Sequence, residues 1–173
     1  QIGVGQTGTG LLEQTGGTIV NGGSLFIGDA YYEAGAVGVY NLSGGVYNGP
    51  ASSVSAVGVW GGSGTLAISG TGVMNEASLT MGLGLFGNTA GSTSLINLSD
   101  SGALNLTGSL TLAANAATVG TLTQTGGTLT VPTLLNGPGT GTYNLTGGTL
   151  NVSSVPDMDL ANNGATLNVG GPG

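Results

Sequence analysis

A hydroxyl residue leading into a glycine-rich corner recurs six times along the chain, at Thr15, Ser43, Ser69, Ser99, Thr125 and Thr146. The spacings are 28, 26, 30, 26 and 21 residues. Three residues before each hydroxyl stands a large apolar side chain: Leu12, Tyr40, Leu66, Ile96, Leu122 and Tyr143. Immediately before it come Gln14, Leu42, Ile68, Leu98, Gln124 and Leu145. These two sets lie two residues apart, so they share one face of an extended strand. The corner is Gly16-Gly17, Gly44-Gly45, Gly126-Gly127 and Gly147-Gly148 in four copies. It is looser, Gly70-Thr71-Gly72 and Asp100-Ser101-Gly102, in the other two. Past it lie Ile19, Tyr47, Met74, Leu104, Leu129 and Leu150, followed by a position that is Asn in four copies: Asn48, Asn75, Asn105 and Asn151. A third short segment ends in a small residue: SLFIG (24–28), SAVG (55–58), SLTMG (78–82) and SLTLA (109–113). Ile2-Gly3-Val4-Gly5 fits the same pattern, so the sequence opens partway through a repeat. Residues 158–161 read as one more such segment, and 166–169 as the start of another.

A unit of three short strands and three corners cannot bury its apolar face alone, but it can on a stack of its own kind. The pattern therefore predicts an all-β fold: a parallel β-solenoid with three short strands per coil and about six coils of roughly 26 residues. Right-handed winding is expected from the crossover rule. Six layers at about 4.8 Å give a body about 29 Å tall. Residues 1–173 read as one domain, uncapped at both ends. The glycine corners are expected to turn the chain, with no ligand required. The hydroxyl row is expected to bond free backbone groups beside each corner, and the Asn column to form an amide ladder. Two copies carry longer corners after the third strand, at 29–39 and 83–94. Both should leave from one edge of the stack, where recognition on a solenoid usually sits.

Composition removes whole classes of function. The chain has no Lys, Arg, His or Cys, and its seven charges are all carboxylates. No side chain can neutralise a phosphate, so no nucleic-acid partner is expected. Attraction to anionic lipid fails likewise, and no apolar run reaches the roughly 18 residues of a membrane span, so no membrane insertion is expected. Without His there is no nucleophile triad, and without Cys no disulfide framework. Asp157 and Asp159 lie two apart on one strand face, the arrangement of a carboxylate pair, but a solvated outer face accounts for them. In GGSGTLAI (61–68), which echoes a calcium-binding nonapeptide, Leu66 occupies the place of the Asp ligand. No catalytic residue, cofactor or metal is expected, and the chain is not read as an enzyme. Glycine and proline make about a quarter of the chain, a level typical of disorder, yet it is 39% hydrophobic and periodic.

The phrases GTLTQTGGTLTV and GTYNLTGGTLNV resemble the β-strand repeats of bacterial autotransporter passenger domains and of PEP-CTERM-type surface proteins, over residues 4–169 or so. The resemblance implies a secreted or cell-surface β-solenoid, structural or adhesive. The expected function is thus a structural subunit of an extracellular fibre, matrix or surface layer, with the chain itself as head-to-tail partner. Ile2, Val4, Leu167 and Val169 mark the expected edges. The alternative is an adhesin-type module that contacts surface glycans through the two long corners, with Tyr31, Tyr32, Glu33, Phe86 and Asn88 as contact residues.

Overall fold

The computed structural model describes residues 1–31, 35–84, 91–155 and 164–170. Among them no helix is present, and fourteen strands follow one another: β1 (Ile2–Val4), β2 (Thr9–Val20), β3 (Leu25–Asp29), β4 (Val37–Asn48), β5 (Val54–Val59), β6 (Ser63–Ile68), β7 (Val73–Glu76), β8 (Ser78–Leu83), β9 (Thr93–Leu98), β10 (Ala103–Leu106), β11 (Ser109–Leu112), β12 (Val119–Asn136), β13 (Thr140–Ser154) and β14 (Thr166–Val169). All fourteen pairings are parallel, each strand lying against its equivalent one coil away. The molecule is a β-solenoid of about six coils.

Like residues stack on like because every copy of the repeat must present the same inward positions to its neighbours. On the first side, Leu12, Tyr40, Leu66, Ile96, Leu122, Tyr143 and Leu167 are successive register partners. On the second side the column is Ile19, Tyr47, Met74, Leu104, Leu129 and Leu150. On the third, Val4, Ile27, Val57 and Met81 follow in register, and Leu112 pairs with Asn136. The middle members of these columns are fully buried in one cluster that runs the height of the stack. Removing a Leu- or Ile-sized side chain from water contributes about 2 kcal/mol. Outside the second column, Asn75 donates to Asn48 Oδ1 at 2.8 Å and Asn105 donates to Asn75 Oδ1 at 3.0 Å, the expected amide ladder. Residues 133–136, at the end of β12, supply a further third-side strand, paired with β11.

The three-sided coil is present, with one refinement and one correction. The sides of a coil are not always separate strands. Where the first corner is a Gly-Gly pair, the strand runs unbroken through it, as in β2, β4, β12 and β13; the looser copies split into β6–β7 and β9–β10. The second glycine of each pair is left-handed, φ 67° to 84°, which bends the strand while pairing resumes within three residues. The hydroxyls also do not all bond backbone beside their corners. Thr15 and Thr125 slip by one and pair with Gly44 and Gly147. Thr146 donates to the Gln124 carbonyl at 3.4 Å, but Ser99 bonds the Asp100 carboxylate instead of backbone.

The third corner depends on glycine more strictly. Gly28 has φ 70°, and a Cβ there would stand 2.0 Å from the Ser63 carbonyl oxygen at the start of β6.

Candidate functional site

Both long corners leave from the same place. Asp29, Val59 and Leu83 are register partners where the chain departs, and Val37, Ser63 and Thr93 are partners where it returns. Tyr31 is 58% exposed at this edge. Tyr32, Glu33, Phe86 and Asn88 lie outside the described residues, as do Asp157 and Asp159. Of the expected edge residues, Leu167 and Val169 are exposed and Ile2 is half-buried. Val4 is a core residue, so only its backbone belongs to an edge.

Three aromatic rings gather at this corner. In β3, Leu25 and Ile27 point inward and Phe26 between them points out, as strand alternation requires. Trp60, the single tryptophan, follows β5 and stands one coil further along. The Phe26 and Trp60 rings meet edge to face at 6.3 Å, and Tyr31 tilts against Trp60 at 4.6 Å. Beside the rings, Asp29 is buried. Its Oδ2 accepts from Gln6 Nε2 and its Oδ1 from the Tyr31 amide, each at 3.1 Å. Gln6 can reach because Gly3 has no side chain: a Cβ there would lie 2.4 Å from Gln6 Cδ. Phe26, Tyr31, Trp60, Asp29, Gln6 and Gln1 line a cavity of about 270 Å³. Trp60 holds a left-handed backbone, φ 50°, a conformation that costs an L-residue roughly 1–2 kcal/mol. Glycine would relieve that strain, so the ring is not there for the sake of the turn.

Sequence reasoning found Tyr31 and missed Phe26, Trp60, Asp29 and Gln6. Phe26 and Asp29 share β3 while Gln6 and Trp60 come from other coils, and none of these residue types recurs at the equivalent position of its neighbours. The available signal was an outward Phe and the sole Trp falling just before and just after the same corner.

A second polar group is buried at another corner. Ser55 replaces the Leu of its column and donates to Glu76 Oε1 at 2.7 Å while accepting from the Leu25 amide at 2.9 Å. Asn21 donates to the Tyr47 hydroxyl at 2.8 Å nearby. Burial pushes the Glu76 carboxyl pKa up; the Ser55 hydroxyl, the Ala77 amide and the Tyr47 hydroxyl oppose the shift without cancelling it. Glu76 Oε2 has no hydrogen-bond partner among the described residues, and a Cβ on Gly49 would strike the carboxylate at 2.3 Å. Glu76 is buried at the wall of a cavity of about 180 Å³ that Gly49, Pro50, Ala51, Asn75, Ala77 and Thr107 also line.

Comparison with protein-family models, with curated proteins and with solved structures gives no match. Among the described residues no three carboxylates converge on a metal position, and no helix is long and apolar enough to cross a membrane.

Proposed function

We propose that the chain is a structural segment of an extracellular fibre, matrix or surface layer, of the kind built by autotransporter-passenger and PEP-CTERM-type repeat proteins. The supporting observation is the parallel register that carries each interior column from coil to coil and resumes after the slips at the Gly-Gly corners. At the outer layers, β2 and β14 each pair on one side only among the described residues, and they present Leu11, Val20 and Val169, which are 61%, 78% and 71% exposed. Such edges accept another coil in the same register, whether from further chain or from a second copy. A head-to-tail contact that does not close produces an open filament held by cross-β pairing. Electron microscopy of the purified chain tests this. Filaments with an axial repeat of about 30 Å are expected, and Leu167→Pro, which removes a ladder donor at the edge, should abolish them. Monodisperse single rods at high concentration would overturn the assembly.

A second reading, an adhesin-type binding module, is favoured by the three rings and the cavity at the corner from which both insertions leave.

A further inference from the structure

We infer that the cavity bounded by Phe26, Tyr31, Trp60, Asp29, Gln6 and Gln1 is a subsite for one ring of a neutral carbohydrate. The inference rests on the binding-module reading and gives it a ligand class and named residues. A pyranose has two kinds of surface: flat C–H faces that pack on the electron-rich faces of aromatic rings, and a rim of hydroxyls that donate and accept. The corner offers both. Phe26, Trp60 and Tyr31 supply the apolar wall. Asp29, Gln6 and Gln1 supply planar carboxylate and amide groups beside it. A carboxylate accepts from sugar hydroxyls and an amide both donates and accepts, so together they match a hydroxyl rim of either sense.

Charge selects among sugars. The chain has no cationic side chain and carries seven carboxylates. A uronate, sialate, sulfate or phosphate ester would meet repulsion with nothing to offset it. The buried Asp29 carboxylate stands at the cavity wall and makes the exclusion local as well as global. The cavity, about 270 Å³, holds a single sugar ring and not a long chain. The remainder of a polysaccharide would run over the corner surface.

Position fits this use. Asp29 is fixed by Gln6 from one coil and by the Tyr31 amide, while Trp60 comes from the next coil. Its backbone amide is tied to the Leu83 carbonyl at 2.9 Å. The polar and aromatic halves of the site are therefore held by the stacked scaffold, which lowers the ordering cost of binding.

Trp60 is the only tryptophan, so its fluorescence reports the site directly. The full chain is titrated with neutral hexasaccharides of the cellulose, xylan, mannan, β-1,3-glucan, starch and galactan types. Choline and oligogalacturonate serve as cationic and anionic comparators. The expected result is a saturable shift of Trp60 emission with at least one neutral oligosaccharide and none with oligogalacturonate. Tyr31→Ala, at a position 58% exposed, should leave the circular dichroism of the fold unchanged and weaken binding on the order of 30-fold, as expected for loss of an aromatic anchor. Gln6→Ala should weaken it as well. No response across the neutral panel overturns the inference. So does a response to choline in place of sugars, which would make the rings a cation cage. If affinity electrophoresis shows polysaccharide retained equally by the wild type, Tyr31→Ala and Gln6→Ala, the binding-module reading stands and this site falls.

Discussion

Leu66 stands in the middle of the first interior column, with Tyr40 on one side and Ile96 on the other, and is fully buried. Leu66→Ala removes three carbons there, and the lost transfer free energy is about 2.4 kcal/mol at roughly 0.8 kcal/mol per methylene. The neighbouring coils cannot close the gap, because backbone spacing along the stack is set by the hydrogen-bond ladder. A residual cavity on the order of 50 Å³ then adds about 1.2 kcal/mol. The expected destabilisation is therefore about 3.5 kcal/mol. Leu12→Ala makes the same chemical change in the same column at an outer layer. Leu12 is only partly buried there and has one described register partner, Tyr40. Its cost should be about 1 kcal/mol. Urea unfolding followed by circular dichroism and by Trp60 emission measures both. Two equal values, or a Leu66→Ala cost below about 1 kcal/mol, would refute a dry central column flanked by wetter outer layers.

Other perturbations probe the corners. Glu76 has a folded pKa raised above the ordinary 4.5, so the native state holds its proton more tightly than the unfolded chain. The contribution of Glu76 to stability is then fully present below about pH 4.5 and is lost as pH rises from there through the folded value; Glu76→Gln should remove that pH-dependent loss and raise the neutral-pH melting temperature, and a stability profile unchanged by the substitution would contradict it. Gly28→Ala combines a left-handed φ with a Cβ clash on the Ser63 carbonyl; a loss of about 2–5 kcal/mol is expected in urea unfolding, and a neutral effect would show that the corner is not as described. Asn75 donates to Asn48 and accepts from Asn105. Asn75→Ala should cost about 1–2 kcal/mol, more than Asn151→Ala, which loses one bond of 3.4 Å; the reverse order in thermal melts would rule out a continuous ladder.

The interior columns were legible because two constraints coincide. Period-two alternation tells which side chains face in, and the fixed spacing to each corner tells which residues meet. Leu12 through Tyr143 could be aligned from sequence for that reason. Polar residues inside the columns were harder. Gln14 and Gln124 share a face with leucines, and the structure explains why burial is tolerated. The Tyr40 hydroxyl donates to Gln14 Oε1 and the Tyr143 hydroxyl to Gln124 Oε1, each from the next coil, while the glutamine amides bond corner carbonyls. That pairing was present in the sequence as a pattern between copies: each copy with Gln is followed by one with Tyr in the stacked position. The slip of the hydroxyl row at Thr15 and Thr125 was not legible, since backbone register at a corner depends on φ choices that a Gly-Gly pair leaves open. The aromatic corner was only partly legible. Phe26, Tyr31 and Trp60 have no equivalents in other copies, and their meeting depends on which coils become neighbours.

In-register stacking can be measured by disulfide trapping, which the absence of native cysteine makes clean. Ala67 and Asn97 are thirty positions apart in sequence and are register partners on the outer face of β6 and β9. In Ala67→Cys/Asn97→Cys the Cα atoms should be about 5 Å apart, within disulfide reach, and mild oxidation should cross-link the pair within each molecule. In Ala67→Cys/Leu95→Cys, two residues out of register, the separation rises to about 8 Å and the thiols should remain free. Cross-linking of the first pair and not the second, read by thiol titration and gel mobility, is the predicted result. Equal trapping of both pairs, or of neither, would contradict the stacked solenoid.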